Sequence, residues 1–131
     1  MTDSANIALV RRMFDAKITP ETIREVLAHD VVWDITPGFP YGGVYHGADS
    51  VITDFFGRFG PLFSAFMGHA ESCYEDGEGH VFVRGAYRVT GKDSGKDAAV
   101  RLLHMWTVRD GRVTEMFQSA DSADLQRALA G

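Results

Sequence analysis

The 131-residue chain lacks the features by which several large classes of protein are recognised from sequence. It contains a single cysteine, Cys73, which excludes an internal disulfide framework. No apolar run approaches the roughly 20 residues that a helix needs to cross a bilayer, so we expect no membrane partner. Basic residues are outnumbered, with 13 Lys and Arg against 18 Asp and Glu, and Arg11-Arg12 is the only adjacent basic pair. Because phosphate neutralisation needs clustered basic residues, we expect no nucleic-acid partner either.

Familiar cofactor and catalytic motifs are also missing. Gly42-Gly43 belongs to neither a dinucleotide-binding nor a phosphate-binding loop, and no GxSxG nucleophile motif occurs. Four histidines lie beside predicted turns or element ends, without the close ligand spacing of a metal site: His29, His46, His69 and His80. We therefore expect no cofactor and no metal ion. The N-terminal segment MTDSANIALVRRMF has no signal-peptide pattern, so a cytoplasmic location is expected.

Helix-like and strand-like segments alternate in an order that is typical of an α+β fold. Apolar residues recur at helical spacing in residues 4–17, 19–28 and 49–59, and Thr19-Pro20 is a typical helix start. Strands are predicted at residues 31–35, 68–76, 79–90, 97–109 and 112–120, and a short helix at 122–130 closes the chain. This order predicts a single domain over residues 1–131, with three N-terminal helices packed on one face of a curved, mainly antiparallel sheet.

Residues 98–121 are the most informative segment, because they read as two amphipathic strands joined by Asp110-Gly111, a strong hairpin signal. Residues two apart share a face, so His104 projects with Leu102 and Trp106, while Leu103 and Met105 project oppositely. Both faces are apolar. We therefore expect helices to cover one face and a partner to cover the other, which places His104 in an enclosed space.

Aromatic residues are abundant, with nine Phe, four Tyr and two Trp, and many of them fall within residues 33–66. Any one ring is equally well explained by ordinary core packing. Their concentration in the predicted third helix and the loop before it favours a hydrophobic pocket with aromatic walls.

Two stretches of the chain resemble the SnoaL-like proteins, which share a superfamily with ketosteroid isomerases and nuclear transport factor two. These stretches are AHDVVWDITPGFPYGGVYHGADSVITDFF and HMWTVRDGRVTEMFQSADSADLQRAL. The resemblance covers nearly the whole chain and implies the cone-shaped α+β barrel of that superfamily. It identifies the fold better than the reaction, because one fold hosts many functions.

The resemblance to ketosteroid isomerases implies positions for three catalytic groups. In those enzymes a tyrosine and a protonated aspartate form an oxyanion hole, and a second aspartate moves the proton. The matching positions hold Phe14, His104 and Ile35, so two of the three groups are lost. Steroid isomerisation of the usual kind is therefore not expected unless Asp34, which should face the other side of its strand, turns inward.

The resemblance to polyketide cyclases and limonene epoxide hydrolases implies a carboxylate near the end of the last strand, where this chain has Asp121. An inward Asp121 opposite His104 would suit proton abstraction next to a carbonyl or activation of a water. The epoxide hydrolases carry a further aspartate where this chain has Gln118, and glutamine cannot act as a base. Asp121 is also typical of a helix N-cap, and His104 of a core histidine bonded to a carbonyl; capping and pocket contact are compatible.

These observations lead to one set of candidate site residues. We expect His104, Asp121 and Asp34 to be the catalytic candidates, with His104 working near neutral pH from its ordinary pKa of about 6.5. The expected substrate-binding walls are Phe14, Trp33, Tyr41, Tyr45, Phe55, Phe59, Trp106 and Gln118, with Tyr41 or Tyr45 as hydrogen-bond donors.

The function expected from these residues is binding of a small hydrophobic molecule, with cofactor-independent isomerase or cyclase activity on a carbonyl compound as the specific hypothesis. The alternative is a non-catalytic ligand-binding or protein-interaction module of the same fold. Because Leu103, Met105 and Phe117 make the outer sheet face apolar, we also expect an isologous homodimer formed through that face.

Overall fold

A computed structural model of the chain describes residues 3–14 and 18–130. In this part of the chain a six-stranded sheet has the strand order β2-β1-β6-β5-β4-β3. The strands are β1 (Leu27–Ile35), β2 (Gly43–His46), β3 (Phe63–Glu75), β4 (His80–Gly91), β5 (Asp97–Arg109) and β6 (Arg112–Ala120). The helices are α1 (Ala5–Arg11), α2 (Pro20–Val26), α3 (Ala48–Ser50) and α4 (Ser122–Leu129). The predicted α+β class, with helices against a curved sheet, is confirmed.

The first two helices begin close to their predicted starts at residues 4 and 19, and each begins with a capping side chain. Ser4 Oγ accepts a hydrogen bond from the Ile7 amide, and Thr19 Oγ1 accepts one from the Thr22 amide, 3.1 Å away. A 3₁₀ turn, Arg12–Phe14, extends α1. The predicted end of the first helix at residue 17 lies outside the described residues. The second helix ends at Val26, two residues before its predicted end, because β1 already begins at Leu27.

The third helical segment is continuous over residues 48–58, close to the predicted 49–59, but it is not a uniform α-helix. After α3 it passes through a π-helical turn, Val51–Phe55, and a 3₁₀ turn, Phe56–Arg58. Val51 and Phe55 are buried in the core, and Ile52 and Phe56 are partly buried beside them.

Strands β3 to β6 form an antiparallel meander, as predicted, and β1 joins it by pairing in parallel with β6. The Asp110-Gly111 hairpin turn has positive φ at both residues, 51° and 76°, which agrees with the predicted turn chemistry. Three features differ from the prediction: β1 begins four residues early, at Leu27, β3 begins five residues early, at Phe63, and β2 lies in the glycine-rich segment predicted to be a loop.

The sheet is bent where β3 passes Gly85 of β4. The pairing register shifts between Ala70 and Ser72, and a Cβ at Gly85 would lie only 1.9 Å from the carbonyl oxygen of His69. Glycine is therefore required for this close backbone approach. Such an irregularity increases the local twist and helps the sheet to curve around the helices.

None of the helices in residues 3–14 and 18–130 combines the length and the apolar character needed to cross a bilayer.

Candidate ligand-binding cavity

A cavity of about 550 Å³ lies between the helices and the concave face of the sheet. Met13 and Phe14 from the end of the first helical segment, Ile23 from α2 and Ile52 from the third helical segment form part of its wall. The strands contribute the aromatic and polar part: Trp33, Phe66, Tyr87, His104, Trp106 and Gln118. The cavity is therefore largely apolar, with its polar side chains gathered on the sheet.

His104 reaches this cavity because of strand alternation in β5. Leu102, His104 and Trp106 are buried, whereas Leu103 between them is 61% exposed. The His104 ring packs between Phe14 and Trp106, with centroid distances of 5.6 and 5.5 Å. The expectation that His104 lies in an enclosed space thus agrees with its position, since its exposed fraction is 6%.

The polar end of the cavity is a hydrogen-bonded chain of side chains from three neighbouring strands. The Tyr87 hydroxyl lies 2.6 Å from His104 Nε2, and Gln118 Nε2 donates to the same hydroxyl oxygen at 2.7 Å. The Thr36 backbone amide in turn donates to Gln118 Oε1 at 3.2 Å. Register explains the proximity of two of these groups, because His104 lies directly opposite Gln118 in the β5–β6 pair.

Burial changes the proton chemistry that the sequence predicts for His104. Loss of hydration disfavours the imidazolium and lowers the pKa of His104 to about 3. Burial also raises the pKa of Tyr87 above its usual value, so its hydroxyl stays protonated. The expectation of an imidazole with an ordinary pKa is therefore corrected: His104 is neutral at pH 7 and is a weak base.

Three ring nitrogens around the polar end are buried and have no hydrogen-bond partner within the described part of the chain. They are His104 Nδ1, Trp33 Nε1 and Trp106 Nε1. The three rings are neighbours: Trp106 lies 5.5 Å from His104 and 5.7 Å from Trp33, measured between ring centroids. Unpaired buried polar groups are uncommon in native proteins, and a cluster of them in one cavity wall marks a place where a ligand can bind.

The two aspartates proposed from the sequence lie outside the cavity. Asp34 alternates with the inward-facing Trp33 and Ile35, and it is paired with Phe117 on the outer face of the sheet. Asp121 is exposed and caps α4, where its Oδ1 accepts a hydrogen bond from the Asp124 amide at 3.1 Å. The expected placement of a carboxylate opposite His104 is therefore corrected.

The residues that the sequence predicts as substrate-binding walls line the cavity, with two exceptions. Six of the eight line the cavity: Phe14, Trp33, Phe55, Phe59, Trp106 and Gln118. Tyr45 packs behind Phe55, at a centroid distance of 5.5 Å, and donates to the Tyr41 carbonyl. The Tyr41 ring is covered by the Arg58 guanidinium at 3.9 Å. These two tyrosines are therefore corrected from ligand donors to supports of the wall.

Tyr87 is the polar cavity residue that the sequence analysis does not identify. It lies in β4 on the same face as the buried Val83 and Val89. The alternation of residues 81–89 marks Tyr87 as inward-facing, but only the fold reveals that it comes within hydrogen-bond distance of His104.

No group of three or more His, Cys, Asp or Glu side chains in residues 3–14 and 18–130 is placed to hold a metal ion.

The SnoaL-like domain model matches residues 10–116 of the chain. The chain belongs to the SnoaL-like family. Among curated protein sequences, none matches it.

Solved structures with the same fold cover almost the whole chain. An NTF2-like protein of unknown function from Burkholderia pseudomallei is 27% identical, covers 98% of this chain and 100% of its own, and has a TM-score of 0.88. TerC is 24% identical over 96% of this chain and 98% of its own, with a TM-score of 0.87. A protein provisionally named a SnoaL-like polyketide cyclase, from Jannaschia sp. CCS1, is 19% identical over 98% and 96%, with a TM-score of 0.81. At these identities the similarity establishes the fold of this SnoaL-like protein.

Proposed function

We propose that this SnoaL-like protein binds a hydrophobic small molecule that carries a carbonyl group, inside the cavity between the helices and the sheet. The observation that carries the proposal is the cavity itself, about 550 Å³ of space with apolar walls and one polar end. Ligand sites in proteins have volumes of roughly 300–1,000 Å³, apolar linings and a few polar groups that fix orientation. A chamber filled by its own Phe and Trp side chains would instead have favoured a purely structural or interaction role.

The shape of the walls supports a flat or cyclic ligand. Phe14, Trp33, Phe55 and Phe59 present ring surfaces to the cavity from three different elements. Planar ring systems pack against such walls with large buried area and little loss of side-chain freedom. TerC, which has the same fold, was co-crystallised with polyporic acid, and this agrees with ligand binding as one use of the fold.

A cofactor-independent isomerase or cyclase acting by proton transfer is the second candidate. It is favoured by the His104–Tyr87 pair, which borders the cavity and can polarise a carbonyl oxygen, and by the cyclase name of the Jannaschia relative. Proton abstraction also needs a base. His104 is a weak base, and no carboxylate is among the described side chains that line the cavity. Ligand binding is therefore the better supported of the two functions.

Binding can be measured with the tryptophan fluorescence of the unmodified chain, because both of its tryptophans, Trp33 and Trp106, line the cavity. Titration with acetylnaphthalene should give saturable quenching. Ile52→Phe should narrow the cavity and weaken ligand binding. Thr53→Phe is the matched control, since it adds the same ring at the exposed neighbouring position. Equal affinities in Ile52→Phe and Thr53→Phe would argue that the ligand binds elsewhere.

Turnover is tested separately from binding. Methyl hydrogens next to the carbonyl of acetylnaphthalene exchange with deuterium from heavy water when a base removes a proton, and NMR follows that exchange. Catalysed exchange that saturates with the ketone would support the isomerase or cyclase candidate. Binding without any acceleration of exchange would leave the non-catalytic function.

We also propose that two copies pair through the outer face of the sheet. One register row crosses all six strands on this face: Val44, Asp34, Phe117, Met105, Phe82 and Tyr74. Leu103 lies in the next row and is 61% exposed, and Phe117 is 49% exposed. Apart from Asp34 the row is apolar, and an exposed apolar row of this length on a small protein is typical of an association surface.

The charges flanking this row favour a second copy of the same chain as the partner. Arg84, Arg88 and Arg101 project outward from β4 and β5, whereas Glu115 and Asp34 project outward from β6 and β1. A two-fold axis along the strands lays the basic half of one copy over the acidic half of the other. Light scattering at micromolar concentration should therefore give twice the monomer mass of 14.4 kDa. A monomer mass would contradict the proposal.

A further inference from the structure

We infer that His104 acts on the ligand as a neutral hydrogen-bond donor through Nδ1–H, and that Gln118 is the positioning residue which, through Tyr87, holds it in that tautomer. The cavity then selects ligands that offer an acceptor oxygen at its polar end. This inference rests on the proposed function of the cavity as a ligand site, and it assigns the chemistry of that site to particular atoms.

The direction of the hydrogen-bonded chain is fixed at its backbone end. The Thr36 amide lies 3.2 Å from one atom of the Gln118 side-chain amide. A backbone N–H can only donate, so the atom that faces it must be the oxygen, Oε1. The –NH₂ group of Gln118 therefore faces Tyr87, and it donates to the hydroxyl oxygen at 2.7 Å.

The orientation of Gln118 sets the direction of the Tyr87 hydroxyl. With Gln118 as donor to its oxygen, Tyr87 can give its own proton to His104 Nε2, 2.6 Å away. If His104 Nε2 carried a proton instead, the oxygen of Tyr87 would receive two donors and its own buried proton would have no acceptor among the described groups. The first arrangement leaves fewer unpaired groups, so it is favoured. Nε2 is then the acceptor, and a neutral imidazole carries its single proton on Nδ1.

The Nδ1–H of His104 is one of three donors at the same end of the cavity. It has no partner among the described residues, and neither have the indole N–H groups of Trp33 and Trp106. The acceptors nearby, Gln118 Oε1 and His104 Nε2, each already accept a hydrogen bond, from Thr36 and Tyr87. The groups at this end with no partner at all are therefore donors, which complements a carbonyl or enolate oxygen and disfavours an ammonium group.

Phe14 packs on the rings that carry two of these donors. Its ring lies 5.6 Å from that of His104 and 6.0 Å from that of Trp106, measured between centroids. A Cβ at Gly68 would approach the Phe14 ring to 3.0 Å, so glycine at this position permits the close packing. The three nitrogens are covered, so a ligand oxygen reaches them only when a neighbouring side chain moves.

The tautomer can be read from the ligand-free protein, by NMR of the histidine ring nitrogens in the full chain. His104, assigned by the loss of its signals in His104→Gln, should show a protonated Nδ1 and an unprotonated Nε2. Its signals should not titrate between about pH 5 and 8. A protonated Nε2, or a titration near the ordinary histidine pKa, would overturn the inference.

Two substitutions test whether Gln118 acts through Tyr87. In Gln118→Glu, measured near pH 9 to keep the carboxylate ionised, Tyr87 should donate to Glu and His104 should switch its proton to Nε2. Tyr87→Phe should leave His104 without its donor and give a mixture of both tautomers. A tautomer that stays unchanged in both variants would show that Gln118 does not position it.

A pair of ligands of similar shape tests the consequence for binding. Acetylnaphthalene carries a carbonyl oxygen, and isopropylnaphthalene lacks it. The wild type should bind the ketone about tenfold more tightly, and His104→Phe should reduce that preference to about twofold. Equal affinity for both compounds would overturn the inference while leaving the proposed ligand site in place. If neither compound binds, the proposed function fails, and the NMR experiment still decides the tautomer.

Discussion

The two faces of the sheet both carry apolar side chains but lie in opposite environments. On the inner face of β5, Trp106 is 1% exposed and packs against aromatic neighbours, whereas Leu103 on the outer face is 61% exposed. The inner face of β5 is apolar apart from His104, whereas the outer face mixes Leu103 and Met105 with the charged Arg101. The difference comes from the helices, which cover only the inner face within the described structure.

This comparison shows how one alternating strand can serve two purposes. On the inner face the alternation collects ring side chains and the His104–Tyr87–Gln118 chain around a cavity. On the outer face it builds a row that continues across all six strands. Substitutions on the inner face should therefore change folding and ligand binding, and those on the outer face should change association.

The largest effect is expected from truncating an inner ring. Trp106→Ala should lower the free energy of unfolding by about 3–5 kcal/mol, because it leaves a void in a well-packed wall. Phe82→Ala on the outer face, where the ring is 40% exposed, should cost less than about 1.5 kcal/mol. Urea denaturation monitored by circular dichroism measures both, and equal losses would contradict the distinction between the faces.

Acid should lower the free energy of unfolding, because His104 takes up a proton more readily in the unfolded chain than in the folded protein. Its pKa is about 3 in the folded protein and about 6.5 in the unfolded chain. Above pH 6.5 neither state is protonated there. As the pH falls below 6.5, only the unfolded state binds the proton, so stability decreases until about pH 3. At pH 4.5 the loss should be about 2–3 kcal/mol relative to pH 7.

The control for this prediction is His104→Gln, in which that part of the acid loss should disappear. The comparison uses unfolding free energies of both proteins at the two pH values. An identical pH dependence in the wild type and the variant would show that His104 does not carry the effect.

On the outer face, Leu103→Glu should weaken the proposed dimer about tenfold or more, since it puts a charge into the apolar centre of the contact. Ligand binding should change little, because Leu103 does not line the cavity. Ala123→Glu, an exposed position on α4, is the matched control. Sedimentation at several protein concentrations measures the dissociation constant, and a dimer as tight as the wild type would argue against this face.

The smallest effect is expected at Asp121, which lies on neither face. Asp121→Ala should remove the N-cap of α4 and lower stability by about 1 kcal/mol. Its affinity for acetylnaphthalene should match that of the wild type within about twofold. A much larger loss of affinity would show that Asp121 contributes to ligand binding.

The fold was largely predictable from the sequence because its signals are local. Capping by Thr19, the Asp110-Gly111 turn and the alternation around His104 each act over a few residues, and each is found in the structure. Strand β2 was missed because it lies in a segment rich in proline and glycine, a composition typical of a loop. The parallel pairing of β1 with β6 gives no local signal, because it joins residues 32–34 to residues 115–117.

The candidate site was less predictable than the fold. That His104 faces inward follows from strand alternation, but its low pKa depends on burial by side chains from several elements. Tyr87 was missed and Asp121 was misplaced. The contact with Tyr87 spans 17 residues, and the direction of the Asp121 carboxylate is set by the helix amide that it caps.

The parallel pairing of β1 with β6 has a consequence for how the protein is made. Residues 32–34 of β1 can pair with residues 115–117 of β6 only after the latter have been synthesised. Gln118 follows directly, and it bonds to Thr36 at the end of β1. The polar end of the cavity is thus completed only after residue 118 has been synthesised, and a chain that stops before it lacks the bond between Thr36 and Gln118.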